Sequence, residues 1–487
     1  MPLSQDTLRF IREHRRDDVR SLALQARRYP SVDMPAAITQ ISGWQIAKEK
    51  IPAWAENEHI LYPAHLSLEQ CSSQATAQYK AEIITNLLHT EQEHPAQNST
   101  PTSAGTFTDL TGGFGIDCAY LSSRFGHATY VERQETLCQI AAHNFPVLGL
   151  NHISVCHADS VRHLQEMEPV DCIFIDPARR DGHGGKTVAI GDCEPDIAAL
   201  EELLLRKARH VLVKLSPMLD LTLALNDLKH VREAHIVSVG NECKELPLVL
   251  GRPAQVDARD GVDGAGSHRR PAAHAHMGQM DIRARQTSND KTPLARTRVE
   301  QMNGGMDLAD TVGSFDGESK AERTVAASHD GRYAAPHVFC VNDDQRIDYD
   351  SAAYTQGLRI GGKPLPEAKN YLYEPNASIM KAGCFDLVEE RFGVTQIGPS
   401  SHLFVSEQQI ADFPGRGFAI EAVGSMNKKD IKRLLNGAKQ ANIAVRNFPL
   451  TAPQLRKKLK LADGGTVYLF GTTMQGGDHV LLRTSKI

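Results

Sequence analysis

No apolar run in the chain is long enough to span a bilayer, and Met1 to Arg20 is charged and polar. Neither a membrane helix nor a secretory leader is expected, which makes a cytoplasmic protein the default. No two of the nine cysteines stand as Cys-x-x-Cys. That spacing argues against a zinc site and a disulfide framework, and no metal is implied; the thiols read as small buried hydrophobes. A basic excess is also missing. With a formal net charge of −5, any surface for nucleic acid must be local. Residues 253–334 lack aromatics apart from Phe315 and Tyr333 and show no hydrophobic period. Such a stretch cannot build a core, so a disordered linker or insertion is expected there. The rest has the composition of an ordinary soluble protein, and a chain of 487 residues calls for roughly two to four domains.

Residues 1–98 have helical periodicity, at Thr7–His14, Asp17–Ala26, Met34–Lys50 and Ser73–His89, before a Pro/Ser/Thr-rich linker at His94–Ser103. From 104 to 252 strands alternate with helices. The strand candidates are Thr106–Leu110, Ala128–Glu132, Ile153–His157, Asp171–Asp176, His210–Leu215, His235–Val239 and Leu246–Leu250. Alternation of this kind predicts an α/β domain with a parallel sheet covered on both faces. The gap Asn241–Glu245 is too short for a helical crossover, so the last two strands should pair antiparallel. The expected sheet therefore has six parallel strands and one antiparallel strand, seven candidates in all. After Pro336 order returns as small α+β modules, at 335–415 and 416–487, with Gly476-Gly477-Asp478 supplying hairpin chemistry near the end.

The most informative segment is Thr106 to Gly115, a strand closed by Asp109 and followed by a turn with Gly112, Gly113 and Gly115. Glycines let the backbone approach a ligand, and the helix start that follows points free N–H groups at the same place. A carboxylate at Asp109 repels a pyrophosphate but attracts an ammonium, such as that on the methionine end of S-adenosylmethionine. NAD is disfavoured for that reason, and because Cys118 stands where the third fingerprint glycine should be. Acids at three further strand ends extend the pattern. Glu132 can accept from ribose hydroxyls, Asp159 from the adenine amino group, and Asp176 faces the substrate. Acids at strand ends also cap the next helix, which is the plainer reading of each one taken alone.

Asp176-Pro177-Ala178-Arg179-Arg180 is the catalytic candidate: the proline holds the backbone rigid so that Asp176 can orient an acceptor atom, with Arg179 assisting. Lys214 either binds substrate phosphate or is solvated. The segment Leu68–Lys80 either folds over the cofactor or is a helix start capped at Ser72 or Ser73. Near the C-terminus Lys428, Lys429, Lys432, Arg446, Arg456 and Lys457 belong to a basic run in which Asp430 is the one acid. Local charge of this kind suits a phosphate backbone, here RNA, although lysines on a helix are also an ordinary solvated face.

At these residues the chain resembles the Rossmann-like class I S-adenosylmethionine-dependent methyltransferases. Asp109–Gly115 is similar to their first motif, and Asp176-Pro177-Ala178-Arg179 stands where many carry Asp-Pro-Pro-Tyr. Leu372-Tyr-Glu-Pro-Asn-Ala-Ser-Ile-Met-Lys-Ala-Gly383 and Val445-Arg-Asn-Phe-Pro449 look like the bacterial group with a ferredoxin-like module and a C-terminal THUMP-like domain. That resemblance implies an RNA methyltransferase. Ala178 and Arg179 depart from the pattern by removing the aromatic that stacks on a flipped base. Ser216 stands where uridine C5-methyltransferases place a cysteine, so that chemistry is not expected. A methyltransferase of a small molecule or protein, and an inactive binding protein, are the alternatives.

Overall fold

The computed structural model describes residues 3–93, 105–179, 190–252, 335–352, 370–398 and 400–487. The segment 253–334 lies outside the described residues, as do Arg180 and the side chain of Arg179.

The N-terminal region is helical, with α1 (Gln5–His14), α2 (Val19–Leu24), α3 (Met34–Lys50), α4 (Pro52–Ala55), α5 (His65–Gln70) and α6 (Gln74–Glu93). Side-chain caps start the first three: Ser4, Asp18 and Asp33 each accept from a backbone N–H in the first turn. Phe10, Leu22, Met34, Ala37 and Ile41 form a small core of their own. None of the helices among the described residues is long and apolar enough to cross a membrane.

The α/β region comprises β1 (Thr106–Asp109), α7 (Ile116–Leu121), β2 (His127–Glu132), α8 (Glu135–Val147), β3 (Ile153–His157), α9 (Ser160–Glu166) and β4 (Val170–Ile175). It continues with β5 (Ala178–Arg179), β6 (Cys193–Glu194), α10 (Ile197–Lys207), β7 (Ala208–Leu215), α11 (Leu221–Asp227), β8 (Val231–Val239) and β9 (Glu242–Leu250). After the undescribed segment come β10 (His337–Asn342) and β11 (Gln345–Asp350). Nine of these strands form one mixed sheet in the order β11-β10-β8-β9-β7-β4-β1-β2-β3. Strands β3, β2, β1, β4 and β7 are parallel neighbours, and β9 runs antiparallel between β7 and β8.

The sheet is thus wider than the expected six parallel strands plus one. Residues 337–350, placed by the sequence reading in the module at 335–415, belong to it: β10 pairs parallel with β8, and β11 closes the edge. The physical reason is burial. Val338, Cys340 and Val341 are buried and need a neighbour on each side, whereas β11 is mostly polar and suits an edge.

Alternation along the central strands divides the core. Cys172 and Phe174 of β4 face Trp54, Leu68, Ile83 and Ile84 of the helical region, together with Phe107 and Phe114. Ile173 and Ile175 face the other way, into a cluster with α10 residues Ile197 and Leu204 that reaches Tyr373, Ile379 and Phe404. None of the nine cysteines forms a disulfide; six are buried and three partly so.

The remaining elements are β12 (Tyr371–Pro375), α12 (Ala377–Ala382), α13 (Phe385–Phe392), β13 (Thr395–Gln396), β14 (Phe404–Ser406) and β15 (Gly415–Gly424). They are followed by α14 (Lys428–Leu435), β16 (Asn442–Arg446), α15 (Ala452–Leu459), β17 (Tyr468–Thr473) and β18 (His479–Lys486). Gly383 at φ +68° ends α12 and separates it from α13. The strands make one seven-stranded sheet, β13-β14-β12-β15-β18-β17-β16, so two modules share a continuous ladder through β12 and β15. Buried Glu374 fastens that join, accepting from Arg416 Nε at 2.9 Å and from Arg446 Nη2 at 2.7 Å. Asn241, in the β8–β9 turn, accepts from the Ala377 N–H at 2.8 Å, and Asn376 donates to Gln345 at 3.0 Å. These bonds tie α12 to the nine-stranded sheet.

Candidate cofactor and substrate site

Because β4, β1, β2 and β3 are parallel neighbours, their carboxyl ends emerge on one edge of the sheet. Asp176, Asp109, Glu132 and Asp159 stand at those ends, the edge where open α/β sheets bind ligands. Asp109 is 0% exposed. Its Oδ1 accepts from the Thr111 N–H at 2.9 Å, while Oδ2 is buried without a partner. Burial pushes the carboxyl well above the usual range; the Thr111 bond opposes this, and the nearby Asp117, Asp176 and Glu132 carboxylates add to it. A buried acceptor left open costs free energy until a donor arrives.

The turn after Asp109 is shaped from below. Gly112 donates to the Val131 carbonyl at 2.8 Å, and a Cβ there would lie 2.2 Å from the Tyr130 ring. Tyr130 in turn donates its hydroxyl to the Gly113 carbonyl at 2.5 Å. Gly113 and Gly115 have φ of +53° and +92°, and a Cβ on Gly113 would meet only the Thr111 carbonyl oxygen, at 3.8 Å. Thus Gly112 is required by packing, and Gly113 and Gly115 by conformation. Gly112→Ala should cost about 1–3 kcal/mol through overpacking against Tyr130, read as a lower urea midpoint with an unchanged slope.

Glu132 is tied to the same turn. Its Oε2 accepts from the Gly113 N–H at 3.0 Å and its Oε1 from the Gln134 N–H at 2.8 Å. Each oxygen keeps a second lone pair for a ligand hydroxyl. Asp159 is exposed and caps α9, its Oδ1 accepting from Val161 and Arg162 N–H at 3.0 Å each. For this residue the capping role is in place, with no hydrogen bond among the described residues to Oδ2.

Asp176 is held twice. Its N–H donates to Thr111 Oγ1 at 2.7 Å, joining the fourth strand end to the glycine turn, and its Oδ2 lies 2.5 Å from Lys214 Nζ. Pro177 is buried, and Ala178–Arg179 pairs with Cys193–Glu194. Lys214 is not a solvated lysine: its side chain is 12% exposed and paired with Asp176. Burial disfavours its charge, but Asp176, Asp117 and Glu245 outweigh this and hold the ammonium protonated, its pKa raised.

Sequence reasoning passed over Asp117, Glu245 and the role of Lys80. Lys80 is fully buried, with Nζ 2.5 Å from Glu245 and 3.2 Å from Asp117. Ser72 donates to Asp117 at 2.7 Å, and Ser73 starts α6 by accepting from the Thr76 N–H. The capped-helix reading of Leu68–Lys80 is in place at Ser73, and the residue before it bonds to α7 just past the glycine turn. The signal in the sequence was a lysine at helical spacing from Ala77, Ile83 and Ile84, on the face that is buried; among polar neighbours such as Gln78 and Glu82 it reads by default as solvated.

The basic residues fall into two groups. Lys428, Lys429 and Lys432 on α14 and Lys457 on α15 are exposed, with no side-chain hydrogen bond or ion pair among the described residues. Arg446 and Arg456 are half-buried and committed, the first to Glu374 and the second to Asp463. Helices α14 and α15 lie on one face of the second sheet, since Leu434, Leu455 and Leu459 share a core with Leu469 and Leu481.

A ferredoxin-like domain family matches residues 371–414, and a THUMP domain-like family matches 415–486. A solved structure of a candidate methyltransferase from Porphyromonas gingivalis W83 aligns with 99% of this chain and 97% of its own length, at 27% identity and a TM-score of 0.69. The resemblance seen in the sequence holds. The chain shares that protein's fold, and the two family matches fall on the C-terminal modules named from the sequence. Partial overlays exist with a further methyltransferase candidate, yhhF from Escherichia coli (16% identity, 36% of this chain and 86% of that one, TM-score 0.23), and with TrmN from Thermus thermophilus (16%, 35% and 46%, 0.24). Overlays of that extent say nothing about substrate. No curated protein matches the sequence.

Proposed function

We propose that the chain is an S-adenosylmethionine-dependent methyltransferase acting on RNA. The observation that carries this reading is Asp109: a wholly buried carboxyl with one oxygen unpartnered, beside a glycine turn and a helix start. A ligand ammonium would satisfy that oxygen. Glu132 has lone pairs left for ribose hydroxyls, and Asp159 has one oxygen left for the adenine amino group. The set of acceptors thus fits the cofactor, which when bound supplies an electrophilic methyl group on a sulfonium. Asp176, fixed by Thr111 and Lys214, presents an acceptor that orients the substrate atom. Pro177 keeps that strand end rigid, and Arg179 is assigned to assist. Arg179 stands where the motif carries its aromatic ring, so the acceptor is held by hydrogen bonds rather than by a stacked aromatic face.

The RNA assignment rests on the THUMP domain-like match and the exposed lysines of α14 and α15. Transfer of a tritiated methyl group from S-adenosylmethionine to total RNA of a strain lacking the protein tests it. Incorporation into protein or small molecules instead would move the assignment to those substrates, and no incorporation despite cofactor binding would favour an inactive binding protein. Filter binding with a salt titration reads the interface separately. Replacing Lys428, Lys429 and Lys432 together by alanine should flatten the log–log salt slope by about 2, at about 0.7 per single-strand phosphate contact. An unchanged slope would place RNA elsewhere.

A further inference from the structure

Behind Asp176 lies a line of alternating charges, of which the methyl-transfer reading uses Lys214 alone. The β4–β7 register sets Ile175 beside Val213, so Asp176 and Lys214 follow side by side, with Nζ and Oδ2 2.5 Å apart. Across the β7–β9 ladder Lys214 stands opposite Pro247, which makes Glu245 its diagonal neighbour on the same face. Glu245 is held by Lys80 at 2.5 Å, and Lys80 also holds Asp117 at 3.2 Å and Ser72 Oγ at 3.2 Å. Lys80 is 0% exposed and Glu245 2%. The Lys214 ammonium is in contact with Asp176 and lies within the electrostatic reach of two more buried carboxylates, its ladder neighbour Glu245 and Asp117.

We propose that Lys80, brought in by the N-terminal helical region, is a positioning residue for Asp176: by occupying Asp117 and Glu245 it leaves Lys214 free to hold the substrate-side carboxylate. Buried carboxylates need a counter-charge. With Lys80 present the inner pair has one of its own, and Lys214 turns outward. Without it, two uncompensated carboxylates compete with Asp176, which is one-third exposed and can be solvated instead. Lys214 then swings inward, and Asp176 loses the contact that fixes its side chain. The N-terminal helices are on this account part of the catalytic apparatus rather than an appendage.

The inference rests on the methyltransferase reading for its consequence but not for its geometry, and the test separates the two. A crystal structure of Lys80→Met should show Lys214 Nζ beyond hydrogen-bond distance of Asp176 and nearer Asp117 or Glu245. Methyl transfer from S-adenosylmethionine to total RNA should fall about tenfold or more in kcat through lost orientation, with the calorimetric affinity for S-adenosylhomocysteine close to native. Adding Glu245→Gln removes one competing charge and should return Lys214 to Asp176 and recover most of the transfer; a merely structural role for Lys80 predicts no such rescue. Should Lys80→Met fail to fold, the double variant carries the same comparison. Lys214 remaining on Asp176 in Lys80→Met, or no recovery in the double variant, would overturn the proposal. Absence of transfer in the native protein would instead defeat the functional reading, with the position of Lys214 still deciding this one.

Discussion

Asp109→Asn should weaken binding of S-adenosylhomocysteine by about a hundredfold or more and, at the same time, raise the melting temperature of the unliganded protein. The two effects share one cause. In the free protein the Asp109 carboxyl is buried with Oδ2 unpartnered, and burial raises its pKa well above the ordinary carboxylate value. A group with a raised folded pKa gives its full stability below its unfolded pKa, near 4 for Asp, and loses it as pH rises through the folded value. The native protein without ligand is therefore penalised increasingly from mildly acid pH upward, and the amide variant is not. The gap in melting temperature between them should widen with pH. Ligand binding reverses the balance, because an ammonium on Oδ2 favours the ionised form. Removing one partner of such a buried charge pair costs about 2–5 kcal/mol, which is a hundredfold near the lower end. Binding should also release a proton, so affinity should climb with pH and the measured heat should depend on the ionisation enthalpy of the buffer. Calorimetry in two buffers reads the proton; equal affinities of the two proteins would remove Asp109 from the site.

The parts of this arrangement legible in the sequence are those fixed locally. Strand–turn–helix from Thr106, the acids at the strand ends and the hairpin at Gly476-Gly477 follow from residue type and spacing. What sequence alone does not carry is which distant residues meet. Strand β10 comes more than eighty residues after β9 yet joins the same sheet, because burying Val338, Cys340 and Val341 decides its place and no local rule names the neighbour. The same holds for Lys80 and Glu245, separated by 165 positions and joined only by tertiary packing. Arg446 and Arg456 show the converse error. Counting basic residues treats them as equivalent to the lysines around them, whereas planar guanidinium groups suit fixed carboxylate partners, and both have found one. Glu374 and Asp463 lie outside the basic run, so its charge imbalance overstated the free positive surface.

Asp176→Ala should lower methyl transfer by about a hundredfold or more while leaving the affinity for S-adenosylhomocysteine within about threefold of native. The split follows from where the carboxylate stands. Asp109 and Glu132 hydrogen-bond the glycine turn and are the residues proposed to hold the cofactor, whereas Asp176 bonds that turn with its backbone N–H, which an alanine keeps. Its side chain is one-third exposed and faces Lys214, so its removal takes away an oriented acceptor without opening the buried core. Positioning of a reacting atom is worth several kcal/mol when the geometry is fixed, and about 2.7 kcal/mol already gives a hundredfold. Lys214 retains Asp117 and Glu245 as counter-charges in the variant, so the fold should survive. Adding Lys214→Met to Asp176→Ala should cost little further transfer, because the lysine acts on the reaction through the carboxylate already removed. Transfer near the native rate in Asp176→Ala would mean that the acceptor atom is oriented by another group at that strand end, and the Asp-Pro-Ala-Arg run would then serve the fold alone.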